Sequence, residues 1–419
     1  MPFKTAIKQT AILLADFEIW PFSFLILISL LSEKFLPYTI IYGVIFWFIR
    51  WVAFGRPTFA MPTTLPLLLL ALTIPVSIYA TPLLDKSMPE ALRLLTGILY
   101  FFGIVNWAKT PRRVNWLLYG SIILGFSLAA ASLIIVNYLE KFSILEGVLA
   151  KLKSLSFAST VHPNVMAGTL ILFMIGICAF LIFRWMAIRN LYRLGLILLT
   201  LFMSGILILT QSRGAMIGLA TGLCLLIVLR FRRGWIPIAI VVVASVVIVS
   251  QIGPQRIWNS IASETGGAGS LASREETWMR AKLMLQDYPL TGIGMGTYTE
   301  VADTLYPFAH VAIFVSHAHN LYLQIGLDLG LPGLVFWLAT WFVLIVMAWQ
   351  LYRNPEPFPR FLGAAVLGSM AAMGVHGLLD AVTWDTRPAI IIWGIWGLTA
   401  AEWNIFKKTK MQGTRSIEV

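Results

Sequence analysis

LYRLGLILLTLFMSGILILTQSRGAMIGLATGLCLLIVLRFRRGWIPIAIVVVASVVIVSQI, residues 191–252, contains three apolar runs of near-spanning length. They cover 191–210, 214–230 and 235–252, and two short polar breaks divide them, Thr210-Gln211-Ser212-Arg213-Gly214 and Arg230-Phe231-Arg232-Arg233-Gly234. A run that long has to be a helix in lipid, because only a helix satisfies all its backbone polar groups within one segment. Working outward, comparable runs fall near 12–32, 36–53, 65–82, 90–108, 115–136, 163–184, 331–351, 360–381 and 388–406. The reading is an all-α polytopic membrane protein with about twelve transmembrane helices, some interrupted by Pro66, Pro75 and Pro237. A chain that is 58% hydrophobic and 12% charged, with mean hydropathy +0.82, excludes a single soluble domain. Lys4 and Lys8 precede the first run without a small-residue cleavage site after it, so it reads as a retained helix. Cys178 and Cys224 lie inside apolar runs and offer neither a disulfide framework nor a thiolate metal site.

The net charge of +12 raises nucleic acid as a partner, and its distribution removes it. If the runs alternate across a membrane, 19 of the 31 basic residues share one side with 5 acids, and the other 12 face 14 acids. By the positive-inside rule the first side is cytoplasmic, so both termini lie inside. The positive charge is a topology signal and a possible grip on anionic headgroups. The long polar interval Gly253–Asn320, between spans nine and ten, is then external. This divides the chain into spans one to nine (1–252), an external segment (253–330), and spans ten to twelve with a cytoplasmic tail (331–419). A second external loop, about Asn137 to His162, has a short helical set at Ile144, Leu145, Val148 and Leu149. No fixed-period repeat and no matching broken helices favour a transporter, which stays as the reading from a different class.

Ser273-Arg274-Glu275-Glu276 has capping-box spacing, predicting a helix that Ser273 caps and that stops before Pro289. Arg274 in its first turn suits an anion such as a diphosphate; its bland alternative is a surface ion pair. Arg280 on the same helix reads as solvated. Gly292-Ile293-Gly294-Met295-Gly296 reads as a tight turn, with no strand before it for a dinucleotide site. The segment closes on His310, His317 and His319, three of the five histidines. His317 and His319 have a metal-ligand spacing with no third ligand evident nearby, so no metal is expected. Asn320 can cap the helix from Leu321 and hold His319 at its entrance, a placement that suits a general base as well as it suits an interfacial loop histidine.

Arg213 sits at the external membrane surface, either snorkelling or clamping a phosphate with its guanidinium fork. His162-Pro163-Asn164 opens the sixth span, where His162 or Asn164 helps start the helix with Pro163 in its first turn, or Asn164 bonds a sugar. His376 and Asp380 stand one turn apart near the outer end of the eleventh span, a buried polar pair or part of a site.

At these residues the chain resembles the O-antigen ligase family. His319-Asn320, nine residues, then Gly330-Leu331-Pro332-Gly333 fits a His-Asn-x9-Gly-x-x-Gly pattern, and Gln211-Ser212-Arg213-Gly214, Arg274 with Trp278, and Pro289-Leu290-Thr291-Gly292-Ile293-Gly294 are similar too. The resemblance covers roughly His162 to Asp380. It implies a GT-C-like membrane glycosyltransferase that moves a glycan from undecaprenyl diphosphate to an acceptor hydroxyl without metal or other cofactor. It also implies His319 as the base, Arg213 and Arg274 as the diphosphate grip, and Asp380 as the match to a family acid. Beside them, His317, Asn320, Asn164 and Arg280 are the supporting candidates of the residue reading. Its expected partners are the lipid-linked donor, a glycan or glycolipid acceptor and the bilayer, with the site on the external face of the cytoplasmic membrane. A polymerase using a second lipid-linked glycan as acceptor fits the same residues. A metal-dependent relative would want an acidic pair on the first external loop, where only Glu33 stands.

Overall fold

The structure, a computed structural model, describes residues 2–136, 138, 161–253, 271–307, 315–384 and 386–415. Its α-helices run, in order, α1 (Pro2–Phe17), α2 (Ile19–Leu31), α3 (Leu36–Phe54), α4 (Thr64–Ala80), α5 (Leu84–Trp107), α6 (Pro111–Ile135), α7 (Pro163–Arg184) and α8 (Asn190–Thr210). They continue with α9 (Arg213–Arg230), α10 (Trp235–Ile252), α11 (Leu271–Asp287), α12 (Tyr298–Leu305), α13 (Leu321–Tyr352), α14 (Pro357–Gly377) and α15 (Ile390–Arg415).

Helix occupies each of the twelve apolar runs. Among the described residues nine helices are long and apolar enough to cross a membrane, and ten if α1 and α2, bent by 43°, form one broken span. The expected twelve is thus reached in helices but not in full-length spans; α4, for one, is apolar yet shorter. At the α1–α2 bend, Glu18 is buried against Arg50 at 2.5 Å, and the Tyr42 hydroxyl donates to the Glu18 carbonyl at 2.9 Å. The two buried charges thereby pair with each other, and the carbonyl at the bend gains a side-chain donor besides the Phe22 N–H.

The basic loops gather at one end. Lys109 lies over Phe54 at 4.0 Å and Lys408 over Phe59 at 4.8 Å, while Tyr352 donates to the Leu229 carbonyl at 2.6 Å and Arg230 to the Ile182 carbonyl at 3.3 Å. From that end α14 rises through 21 residues, about 30 Å. It delivers His376 and the following loop to the opposite end.

There the polar segment docks on the bundle. The glycine turn is as expected, with φ of 68°, 102° and 68° at Gly292, Gly294 and Gly296. Its backbone is stitched to three elements: Ile293 N–H donates to the Leu327 carbonyl (2.7 Å), Met295 N–H to Ser77 (3.1 Å), and Ser87 to the Met295 carbonyl (2.7 Å). Gly292 presses on the Leu327 carbonyl and Gly330 on Leu290, approaches that leave no room for a Cβ. Gly330, at φ 71°, breaks α13 into a piece under the polar segment and a membrane piece beginning at Leu331, where the sequence placed span ten. α11, α12, Val315, Ala318 and the first part of α13 form their own apolar cluster around Met284, Tyr298 and Leu327.

The external segment, in which one helix was expected, contains two among its described residues. α11 ends at Asp287, before Pro289 as expected, but it starts at Leu271, so Ser273 lies inside it rather than at its cap. The apolar set at 144–149, His310 and Gly266–Gly269 fall outside the described residues.

Candidate active site

Small residues let three helices meet beneath the site. α9 carries Gly214, Gly218 and Gly222 at four-residue spacing, one face of a helix. A Cβ at Gly218 would stand 2.6 Å from the Ala372 carbonyl, and one at Gly214 would stand 3.2 Å from His376 and 3.3 Å from Leu379. On α7, a Cβ at Gly168 would lie 2.8 Å from the His376 ring. Backbones approach closely because no side chain separates them. α7 and α9 thus enclose the His376 imidazole, which is 1% exposed and has both ring nitrogens without a hydrogen-bond partner among the described residues.

Past the end of α14, Asp380 is buried, 2% exposed. One carboxylate oxygen accepts from the Asn164 side chain at 2.9 Å, the other from the Ala381 N–H at 2.9 Å. His317 Nε2 and His319 Nδ1 each stand 3.7 Å from that second oxygen. The two rings lie with centroids 4.2 Å apart, and His317 Nδ1 accepts from the His319 N–H at 3.2 Å, which leaves the His317 proton on Nε2, toward Asp380. Burial alone would push the Asp380 carboxyl up; the surrounding His319, His317 and His376 outweigh it and hold it well below the usual carboxylate range. Burial lowers His317 below the ordinary imidazole value, Asp380 opposes this, and the Arg274 charge adds to it.

Asn320 caps α13 as expected: its side-chain oxygen accepts from Tyr322 and Leu323 N–H, both at 3.0 Å, and its amide donates to the Leu378 carbonyl at 3.1 Å. That last bond ties the His-Asn motif to the loop bearing Asp380. His319 is held at φ 47°; among the described residues it and Gln211, at φ 51°, are the non-glycine positions with positive φ. Both lie in the two sequence motifs singled out, and left-handed backbone at a non-glycine residue is a conformation the surroundings must impose. Arg213 is the first residue of α9, exposed, one position before the glycine that faces His376 and Leu379. Arg274 is half-buried, its charge bears on His317 and His376, and its Nε is buried without a partner among the described residues.

Three expectations change. Arg280 is not solvated: it is 3% exposed and donates to the Ala302 carbonyl at 2.7 Å and to the Tyr306 carbonyl, so it caps the end of α12. It supports the fold of the polar segment. The third ligand missing beside His317 and His319 exists, because Asp380 brings a carboxylate oxygen to within 4.8 Å of a nitrogen from each. The separation of 61 positions hid it. His376, left between a buried polar pair and part of a site, is buried and acts on Asp380 through its field, with no side-chain hydrogen bond to it among the described residues. One sequence reading also stands: His162 starts α7, accepting the Asn164 N–H at 3.2 Å. Glu33 is paired with Arg93 at 2.6 Å and with Arg387 at 3.3 Å.

A carboxylate and two imidazoles gather at one end of a helix bundle whose apolar helices suit a membrane, with the charge of Arg274 bearing on them. The family model described as O-antigen ligase matches residues 198–338, a stretch that carries Arg213, Arg274, His317, His319 and Asn320. The match supports an O-antigen ligase family assignment, and with it an O-antigen ligase or polymerase type of membrane enzyme. No curated protein matches the chain.

Proposed function

We propose that this chain is a GT-C-like glycosyltransferase with twelve spans that moves a glycan from undecaprenyl diphosphate to an acceptor hydroxyl on the external face of the cytoplasmic membrane. One observation carries the reading: His317 and His319, more than 60 positions before Asp380 in the chain, converge on it at the end of the bundle opposite the basic loops, and the charge of Arg274 bears on His317. His319 turns Nδ1 toward Asp380, which leaves Nε2 for the acceptor. As Nε2 takes the hydroxyl proton, the acceptor oxygen forms a bond to the anomeric carbon and the bond to the diphosphate oxygen breaks with its electron pair. Asp380 stabilises the resulting imidazolium, and Arg213 and Arg274 stabilise the departing diphosphate. Attack opposite the leaving group inverts the anomeric centre. Asn164 keeps Asp380 in place.

The deciding experiment gives purified protein an undecaprenyl-diphosphate glycan with and without candidate acceptors. Transfer that waits for an added acceptor supports a ligase, and glycans lengthening on the lipid without one support a polymerase. Substrate uptake into proteoliposomes without any glycan transfer would replace both with a transporter. The His317, His319 and Asp380 ligand set favours one second reading, a divalent cation taking the charge-stabilising role. Turnover lost to EDTA and restored by a divalent cation would select it; the metal-free reading expects no effect.

A further inference from the structure

Between α2, α5, α6, α7, α14 and α15 lies a cavity of about 450 Å³ with a mostly apolar lining. Its volume is that of a small-molecule site, roughly 300–1,000 Å³. α2 and α6 face one another across it through Trp20 and Trp116, whose rings are 5.8 Å apart and both exposed. In a membrane bundle such apolar exposure faces lipid, so the cavity opens sideways to the bilayer between these two helices.

Two glycines keep it open. Gly120 of α6 and Gly176 of α7 line the cavity, and a Cβ at either would meet no atom within 4 Å. Nearby glycines of the same helices have packing reasons: a Cβ at Gly125 would stand 2.9 Å from Phe173, and one at Gly168 would stand 2.6 Å from Val382. Glycine weakens a helix interior. At 120 and 176 no neighbour requires it, and what the absent side chains supply is space.

The polar groups of the lining are unevenly placed. Ser23 and Tyr100, inside, satisfy each other at 3.1 Å. Arg184 closes the basic end of α7, and its Nε is buried without a hydrogen-bond partner among the described residues. The lining stops on α14 at Ser369, about 10 Å along the helix from His376. The cation of this cavity therefore lies at the end opposite His319 and Arg274.

We propose that the cavity holds one acyl chain of an anionic phospholipid from the leaflet at the basic end, with its phosphate on Arg184. The lipid enters between α2 and α6 and fills the space that Gly120 and Gly176 leave, joining two helices that otherwise meet mainly at the tryptophans. The site is separate from the transfer reaction, and its test does not read glycan transfer.

Full-length protein in detergent, delipidated and then offered phosphatidylglycerol and phosphatidylethanolamine, is followed by native mass spectrometry. One phosphatidylglycerol per chain is expected to survive activation. Gly120→Leu and Gly176→Leu, from opposite walls, should each remove it at least ten-fold, since both side chains enter open space and leave the fold intact by circular dichroism. Arg184→Gln should cut the preference for phosphatidylglycerol over phosphatidylethanolamine about ten-fold. Unchanged retention in a folded leucine variant overturns the site, an unchanged preference in Arg184→Gln overturns the headgroup contact, and retention of undecaprenyl phosphate in competition overturns the choice of lipid.

Discussion

The two neighbouring histidines are held differently. His319 is forced to φ 47° beside the Asn320 cap, whereas His317 accepts the His319 N–H and points its remaining proton at Asp380. Replacing His319 by Ala should lower turnover by about 10²–10⁴-fold with donor binding nearly intact, as for loss of a general base. His317→Ala should be milder; a larger loss there would move the base to His317. Arg213→Ala and Arg274→Ala should each slow transfer strongly, and lysine should rescue only in part, because one ammonium cannot form the two parallel bonds of a guanidinium. Wild-type rates in both alanine variants would remove them from the reaction. His317 also reports through stability. Burial and Arg274 lower it, so below about pH 6.5 the unfolded chain takes a proton that the folded chain refuses, and stability falls with pH. Asp380, held low, keeps its contribution until far more acid conditions. Thermal unfolding between pH 7.5 and 5.5 should therefore steepen its decline below about 6.5 in the native protein and flatten in His317→Asn. Equal slopes would dismiss the assignment.

At the scale of elements, the site depends on how closely α9 and α14 approach. Gly218 faces the Ala372 carbonyl, and its neighbours Gly214 and Gly222 face His376 and the Gly368 carbonyl. Gly218→Leu forces these backbones apart, an overpacking change of about 1–3 kcal/mol that also displaces His376. A lowered unfolding temperature in detergent together with lost transfer is expected, while Gly205→Leu on α8, where a Cβ meets nothing within 4 Å, should be silent. A silent Gly218→Leu would mean that the helices are not held by that contact. The close fit at Gly330 and Gly292 does similar work for the polar segment, fixing where α13 breaks and so where His319 stands relative to the membrane piece.

For the whole molecule the charge distribution and the packing agree. The basic loops meet at Phe54 and Phe59 on one end, and Asp380, His317 and His319 occupy the other. With Cys178 and Cys224 replaced, a cysteine at the exposed Glu275 should react with a membrane-impermeant reagent added outside cells, and one at the exposed Arg232 should not. The reverse pattern would turn the molecule over and put the site in the cytoplasm, where the proposed external transfer could not occur.

The sequence by itself determined where the apolar helices lie and where the membrane piece of α13 begins, at Leu331, and it grouped the basic loops. Those properties are local, written in hydrophobic run length, charge per loop, and glycines that need positive φ. It also placed Asn320 as a cap and the glycine turn as a turn, because caps and turns are read within a few residues. It misjudged Arg280, whose partners lie 22 and 26 positions away on α12 and just past its end, and it saw no third ligand for the histidine pair. The joining of Asn164 to Asp380 across 216 positions, and the enclosure of His376 by glycines of α7 and α9, were decided only by the tertiary structure. The physical reason is that such contacts depend on which helix faces meet once backbones pack without side chains between them, and no spacing along the chain encodes that distance.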